Sequence, residues 1–324
     1  MEVIPSELRI LNKSKPLPID IWGGNVAQTE LDARLRYRIV DLKRPESLVI
    51  FKASSAAARA IRESLYDRGG FIEVFTPKII STSTEGGADL FPVQYFDVVA
   101  YLAQSPQLYK EELTASLERV FEIGPAYRAE KHSTTYHLNE FISVDLEAAF
   151  MNYRDVMSIL EDVIINVYSR ILQVPGVVDM NKEISVPKKP FAVVSYDDAL
   201  EMLGKKGGIN VRWGDDIPKE GLEALTGEVG SPPFFLVNFP TSLRAFYTMP
   251  VEGDPSRSES FDLVIDGVEI VSGATRIHDR KLLENALISR GGLNPANFES
   301  HLAAYEWGGM PPHAGWGGLA FTGY

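Results

Sequence analysis

The sequence predicts an α+β fold, and three observations support this. Apolar residues recur at helical spacing from 47 to 68 and through "YRDVMSILEDVIINVYSRIL". Between these helices, residues 120–130 and 137–150 alternate apolar and polar side chains, as strands do. Asp266-Gly267 separates two further alternating runs and predicts a two-residue antiparallel hairpin. Helices combined with antiparallel strands indicate the α+β class.

Composition narrows the class of protein. The chain has 324 residues, 45% hydrophobic and 23% charged, with a net charge of -12, which is typical of a globular protein. Its acidity argues against a protein that coats nucleic acid with its whole surface. Zero cysteines exclude disulfides and Cys-type zinc sites. No signal peptide and no apolar run of about 20 residues occurs, so we expect a cytoplasmic protein without a membrane partner.

The first half of the chain gives clear element boundaries. Residues 1–28 are rich in Pro, Gly, Asn and Lys, and indicate the tail of a preceding unit followed by a linker. Gly69-Gly70 ends the first long helix, and "FIEVFTPKI" then alternates as a strand ending at Pro77. A second helix is expected to open with Ser105 as N-cap and Pro106 at its first position.

The two central strands carry one polar face. Ser143, Asp145 and Glu147 alternate with apolar residues, so they point to the same side of the predicted sheet. On the preceding strand, the two-residue period puts Arg128 and Glu130 on one face as well. Taken alone, this arginine and glutamate are equally compatible with a surface ion pair.

The predicted hairpin places two carboxylates close together. Its register pairs Val264 with Glu269 and Asp262 with Val271, so Asp262 and Glu269 lie diagonally on one face. Their repulsion would be relieved by a divalent cation, and oxygen-only ligands favour Mg2+. A bulge at Ser272-Gly273 is expected to turn Ser272 and Arg276 towards Glu269. An edge hairpin with two solvated acids remains the alternative.

Four blocks of the chain carry a resemblance to a known family. They are "YLAQSPQLYKEEL", "IGPAYRAEKHSTTYHLNEFISVDLE", "FDLVIDGVEIVSGATRIH" and "GGMPPHAGWG". Together, and in this order, they resemble the archaeal-type aspartyl-tRNA synthetases, a family of class II aminoacyl-tRNA synthetases. The resemblance covers about residues 30 to 317.

The resemblance implies a fold and a reaction. The fold is the class II catalytic fold, a mostly antiparallel sheet of six or seven strands flanked by helices, in a homodimer built on motif 1 (47–77). The reaction joins ATP and L-aspartate into aspartyl-adenylate, with Mg2+ as cofactor, and passes the aspartyl group to tRNA.

The resemblance also implies roles for particular residues. Arg128 would be the catalytic residue, holding the α-phosphate. The implied ATP-binding residues are Arg128, Glu130, His137, Leu138, Phe141 and Glu269. The implied aspartate-binding residues are Glu85, Ser105, Gln107, Lys110, Asp145, Ser272 and Arg276, and the implied Mg2+ ligands are Asp262, Glu269 and Ser272. Lys110 favours aspartate over asparagine, because a desolvated ammonium without a carboxylate partner is costly.

Comparison with the family pattern predicts the domain organisation. Residues 1–28 resemble the last strand and hinge of an OB domain, residues 29–324 the catalytic domain, and 175–232 an insertion or lobe. We therefore expect weak tRNA binding. Motif 3 is expected after "PPHAGWG", where the chain reads "GLAFTGY". Three interpretations stay open: a truncated or frameshifted ligase with weak activity, an aspartate-adenylating paralogue similar to asparagine synthetase, or a non-enzymatic nucleotide-binding paralogue.

Overall fold

The computed structural model of the chain describes residues 4–23, 28–81, 90–129, 138–180, 183–205, 208–230 and 233–321. The α-helices are α1 (Leu31–Arg36), α2 (Arg38–Asp41), α3 (Pro45–Glu63), α4 (Gln107–Leu117), α5 (Tyr153–Ile171), α6 (Val177–Met180), α7 (Tyr196–Lys205), α8 (Lys219–Val229), α9 (Arg280–Ser289) and α10 (Glu299–Ala304). The strands are β1 (Ile72–Glu73), β2 (Ile79–Ile80), β3 (Pro92–Tyr95), β4 (Val98–Leu102), β5 (Arg119–Tyr127), β6 (Glu140–Ala149), β7 (Ala192–Ser195), β8 (Phe234–Val237), β9 (Pro250–Val251), β10 (Asp254–Ser258), β11 (Ser260–Ile265), β12 (Val268–Thr275) and β13 (His313–Phe321).

The main sheet confirms the expected mostly antiparallel α+β architecture. Its strand order is β1-β5-β6-β13-β12-β11-β8-β7. The inner pairs are antiparallel, whereas β1 pairs with β5, and β7 with β8, in parallel. Eight strands form this sheet in the described residues, against the six or seven expected. The two short parallel edge strands account for the difference, since their partners are distant in sequence and leave no local hairpin signal.

The sheet has one apolar and one polar face. Side chains such as Phe121, Leu146, Phe261 and Trp316 point to the apolar face and are fully buried. They share one core with the buried stripe of α5 that includes Leu160. Asn152 caps the start of α5 by accepting from the backbone N–H groups of residues 154 and 155. This core therefore fills one face, and the middle of the other face, around β6, β13 and β12, is left for polar chemistry.

The strand expected over "FIEVFTPKI" is interrupted. Only β1 and β2 are strands there, although the Val74 N–H still donates to the Phe121 carbonyl. At Thr76 the N–H donates instead to Glu122 Oε1 (3.1 Å), and the hydroxyl donates to Glu122 Oε2 (2.7 Å). Pro77 has no N–H to donate. A side-chain carboxylate thus replaces the strand ladder at this point.

The segment 175–232, predicted as an insertion or lobe, contributes to the main sheet. Its strand β7 is the edge strand beside β8. Its helices α7 and α8 bury Leu203 and Leu225 in a second core that also contains Phe234 and Val264 from the sheet. This part of the chain therefore packs directly against the hairpin that carries the predicted metal ligands.

Helix α4 begins two residues after the predicted N-cap. Gln107 is its first residue and Pro106 precedes it. Ser105 nevertheless caps this end, because its Oγ accepts from the Gln107 N–H at 3.2 Å. Residues 107, 108, 110, 111 and 114 are buried along α4. The helix thus presents several polar side chains to the protein interior.

Candidate active site

The polar face of the main sheet gathers most of the predicted site residues. Strand register aligns one row across five strands: Asp262 on β11, Ser272 on β12, Gly317 on β13, Asp145 on β6 and Glu122 on β5. Residues directly opposite in antiparallel pairs point to the same side. The metal half of the predicted site and its amino-acid half therefore share one surface.

The hairpin register corrects one prediction. Ile265 pairs with Val268 and Val264 with Glu269, as predicted, but Asp262 pairs with Ser272 and not with Val271. The bulge lies at Ile270, between the pairs formed by Glu269 and Val271, so its prediction at Ser272-Gly273 is wrong. Its effect on Ser272 is the expected one, since the extra residue shifts the phase and brings Asp262, Glu269 and Ser272 to one face. Arg276, also expected beside Glu269, pairs with Glu147 instead.

Gly273 explains why the bulge cannot lie where it was predicted. Gly273 pairs regularly with Phe261 on one side and with Trp316 on the other. A Cβ on Gly273 would lie 2.4 Å from Phe261 Cζ, so the Phe261 ring occupies the space over this glycine. The packing of Phe261 over Gly273 fixes the strand register at that point, and the bulge occurs nearer the turn, at Ile270.

The two hairpin carboxylates influence each other. Glu269 is exposed at the rim of the polar face, and Asp262 is buried. The negative charge of Asp262 is the main reason why the pKa of Glu269 is raised, followed by loss of hydration. Solvent at the rim screens part of this repulsion. Two carboxylates and a hydroxyl form an oxygen donor set that suits Mg2+.

The guanidinium of Arg244, which the sequence analysis did not predict here, lies beside these oxygen ligands. Arg244 donates to both oxygens of Asp262, Nη1 to Oδ1 at 2.9 Å and Nη2 to Oδ2 at 2.7 Å, and Nη1 also donates to Ser272 Oγ at 2.9 Å. Its guanidinium lies 3.8 Å from the centre of the Phe239 ring. No group of three or more His, Cys, Asp or Glu able to hold a metal occurs among the described residues. The fit to Mg2+ thus rests on two carboxylates and Ser272.

Lys110 lies at the centre of the predicted amino-acid site. It is 1% exposed, and its Nζ donates to Asp145 Oδ1 and to the Trp316 carbonyl, both at 3.1 Å. Glu147 Oε2 is 3.5 Å from the same Nζ. Ser143 Oγ donates to the other Asp145 oxygen at 2.6 Å. Lys110 and Asp145, predicted as ligands of one substrate, are therefore in direct contact.

Arg276 continues this network. Its Nε donates to Glu147 Oε1 at 2.9 Å and its Nη2 to Glu147 Oε2 at 3.3 Å. Burial acts to lower the pKa of Arg276, but the Glu147 carboxylate outweighs it and raises that pKa. Glu147 thus links the two predicted cations, a role that its alternation with Asp145 could have suggested.

The glycines of β13 leave room for these carboxylates. A Cβ on Gly317 would lie 2.5 Å from Asp145 Oδ1, and one on Gly315 would lie 2.2 Å from Glu147 Oε2. Real Cβ atoms do not approach so closely. The glycine-rich stretch "HAGWGG" is therefore a central strand whose missing side chains make space for the charged network.

The predicted nucleotide residues lie further along the same face. The Arg128 guanidinium is 5.3 Å from the centre of the Phe141 ring, and its charge acts to lower the pKa of Glu269. Leu138 is exposed immediately before β6. Glu85, Glu130 and His137, also predicted as ligands, lie outside the described residues.

Comparisons with known proteins agree with this geometry. The family described as tRNA synthetases class II (D, K and N) matches residues 30–319. The aspartate–tRNA(Asp) ligase of Pyrobaculum aerophilum is 56% identical over 323 residues, which cover 98% of this chain and 72% of that protein. The aspartate–tRNA(Asp/Asn) ligase of Methanothermobacter thermautotrophicus is 44% identical over 320 residues, with coverage of 98% and 72%.

Solved structures show the same fold. Asparaginyl-tRNA synthetase from Pyrococcus horikoshii, complexed with asparaginyl-adenylate, has a TM-score of 0.89 and 34% identity over 97% of this chain and 72% of its own. Aspartyl-tRNA synthetase from Entamoeba histolytica has a TM-score of 0.76 and 32% identity over 90% and 58%. No helix in the described part of the chain is long and apolar enough to cross a bilayer. The family match over residues 30–319, the sequence identity to these relatives and the shared fold show that the chain belongs to the class II tRNA synthetases of the D, K and N group.

Proposed function

We propose that this chain is an aspartate–tRNA ligase, which activates L-aspartate with ATP and transfers it to tRNA. The buried network of Lys110, Asp145, Glu147 and Arg276 carries the proposal. Two cations and two carboxylates in one desolvated cluster can recognise a substrate that has two carboxylates and one ammonium. The aspartate–tRNA ligases among the relatives support the same substrate.

In the proposed first step, an α-carboxylate oxygen of aspartate attacks the α-phosphorus of ATP. The bond from that phosphorus to the bridging oxygen breaks, and pyrophosphate leaves. Arg128 would stabilise the developing negative charge, while Phe141 would stack on the adenine ring.

By resemblance, Glu130 would bind the adenine amino group, His137 the outer phosphates and Glu85 the amino acid, with Leu138 beside the nucleotide. Ser105, Gln107 and Asp145 would hold the ammonium and main chain of aspartate.

Mg2+ would be held by Asp262, Glu269 and Ser272, and would neutralise the pyrophosphate leaving group. In the second step, a hydroxyl of the tRNA's terminal ribose attacks the aspartyl carbonyl carbon, and AMP leaves. Lys110 and Arg276 would keep the side-chain carboxylate of aspartate in place through both steps.

Assembly and location complete the proposal. We propose a cytoplasmic homodimer formed around motif 1 (47–77), which exposes Leu48, Ile50 and Phe75. We also propose a domain boundary near residue 28, with the catalytic domain following it. The family match from residue 30 supports that boundary.

Asparagine is the second candidate substrate, because an asparaginyl-tRNA synthetase is among the solved structures that share this fold. Aspartate-dependent ATP–pyrophosphate exchange separates the two. We expect exchange with aspartate and at least about tenfold less with asparagine, since an amide cannot form the ion pairs that the aspartate side chain would make with Lys110 and Arg276. Equal exchange would overturn the choice of aspartate, and no exchange with either would favour a non-enzymatic paralogue.

A further inference from the structure

A second buried network lies beneath the proposed amino-acid site and is centred on Glu111. This residue is fully buried on α4, next to Lys110 and one turn after Gln107. Gln107 Nε2 donates to Glu111 Oε1 at 2.5 Å. The Tyr305 hydroxyl donates to Glu111 Oε2 at 3.2 Å. Neither oxygen of this carboxylate faces solvent, so Glu111 can influence a ligand only through the side chains that it contacts.

Two histidines complete the surroundings of Glu111. His301 Nε2 lies 3.6 Å and His313 Nε2 3.9 Å from Glu111 Oε2. His301 Nδ1 also lies 2.9 Å from Glu112 Oε1. Burial acts to raise the pKa of Glu111, but the two imidazoles beside it, His301 first and then His313, hold that pKa well below the ordinary value. Gln107, Tyr305 and the two imidazoles thus surround Glu111 with groups able to donate, a setting that suits an ionised carboxylate.

An ionised carboxylate accepts hydrogen bonds and donates none. The Gln107 side chain must therefore turn its NH2 group towards Glu111, and this assigns the two ends of the amide without ambiguity. Its carbonyl oxygen is then the end that remains for a ligand. A neutral residue at 111 would impose no such orientation, since an amide or a protonated acid can both donate and accept.

We propose that Glu111, paired with His301, is a positioning residue for the amino-acid substrate, which orients Gln107 so that its amide oxygen accepts from the substrate's ammonium. This rests on the proposed function, in which Gln107 contacts aspartate. It assigns to His301 of α10 and to Tyr305 a part in selecting an α-ammonium group. Glu111 itself does not touch the substrate.

An exchange of the two side chains tests the proposal. Glu111→Gln allows the Gln107 amide to rotate, so the KM for aspartate should rise about tenfold or more, as expected for one hydrogen bond to a charged group. The KM for ATP should change less than about twofold. In the double variant Gln107→Glu/Glu111→Gln, the new amide at position 111 donates to the new carboxylate at position 107, whose second oxygen accepts from the ammonium. The aspartate KM should then recover to within about threefold of wild type.

The control is Thr114→Val, on the same buried side of α4, where the Thr114 hydroxyl donates to the Glu111 backbone carbonyl. It should lower stability without the selective aspartate effect. Calorimetry of aspartate binding to the wild-type protein distinguishes failure of the proposed function from failure of this inference. Absence of wild-type binding would overturn the proposed function and this inference with it. Normal wild-type binding, with an unchanged KM for aspartate in Glu111→Gln or no rescue by the double variant, would overturn this inference alone.

Discussion

Arg244 and Asp262 form a forked ion pair, with both carboxylate oxygens bound at 2.7–2.9 Å. Asp262 is also a proposed Mg2+ ligand. Burial acts to lower the pKa of Arg244, but the Asp262 charge outweighs burial and raises that pKa above its ordinary value. The proposed metal site thus already contains one positive charge from the protein, beside Ser272 Oγ.

Removing Arg244 should destabilise the fold. Arg244→Met leaves Asp262 buried and unpaired, so we expect the free energy of unfolding to fall by roughly 3 kcal/mol. Urea denaturation measures this. Lys205→Met is the control, because the Lys205–Glu201 pair is exposed and should contribute less than about 1 kcal/mol. Equal decreases in the free energy of unfolding of the two variants would show that the Arg244–Asp262 pair stabilises the fold no more than an exposed ion pair does.

Lys110 should discriminate between ligands. In Lys110→Leu the ammonium that would meet the substrate's side-chain carboxylate is gone, so aspartate affinity should fall by about a hundredfold or more, as expected for a lost desolvated ion pair. ATP affinity should stay within about threefold, because ATP does not contact this group in the proposed complex. Calorimetry with each ligand separately gives both values. Similar losses for both ligands would contradict the assignment of Lys110.

Gly317 should be intolerant of a methyl group. In Gly317→Ala the new Cβ would meet Asp145 Oδ1 at 2.5 Å and push it from Lys110, so aspartate affinity should fall about tenfold or more. Gly227→Ala, within α8, meets no atom within 4 Å and should be neutral or stabilising by up to about 1 kcal/mol. If Gly317→Ala binds aspartate normally, the close approach has no functional consequence.

His301 predicts a pH dependence of stability. Burial acts to lower its pKa, but the Glu111 and Glu112 carboxylates beside it raise that pKa from 6.5 to about 9. A raised folded-state pKa stabilises fully below pH 6.5, and this contribution is lost as the pH rises through 9. The free energy of unfolding should therefore fall between these pH values, and this fall should be smaller in His301→Gln. Denaturation curves at several pH values test it, and parallel profiles for the two proteins would refute it.

The hairpin predicts the position of a bound cation. Asp262, Glu269 and Ser272 share one face because of the bulge at Ile270. In a crystal structure with ATP and Mn2+, the anomalous signal should lie within bonding distance of both carboxylates. A cation bound to the phosphates alone, with neither carboxylate as a ligand, would reject this metal site.

Local patterns predicted the parts of the site that depend on short-range geometry. Asp266-Gly267 indicated the turn, and alternation along β6 placed Asp145 on the polar face. Sequence patterns could not predict contacts between segments that are distant along the chain. Arg244 lies 18 residues from Asp262 and outside any regular element, so no periodicity connects them. The bulge position depends on Phe261 packing over Gly273, which requires the neighbouring strands to be known.

The place of β13 in the sheet has a consequence for folding. It lies between β6 and β12, yet in sequence it follows all the other strands of the described residues. During synthesis, β1, β5 and β6 can pair on one side and β12, β11, β8 and β7 on the other, but no strand pairing joins the two groups until β13 inserts. Both groups then present a long unpaired edge, a state that invites aggregation. The row of polar residues from Asp262 to Glu122 is therefore completed only when β13 joins the two groups of strands. We expect this long-range step to limit the rate of folding.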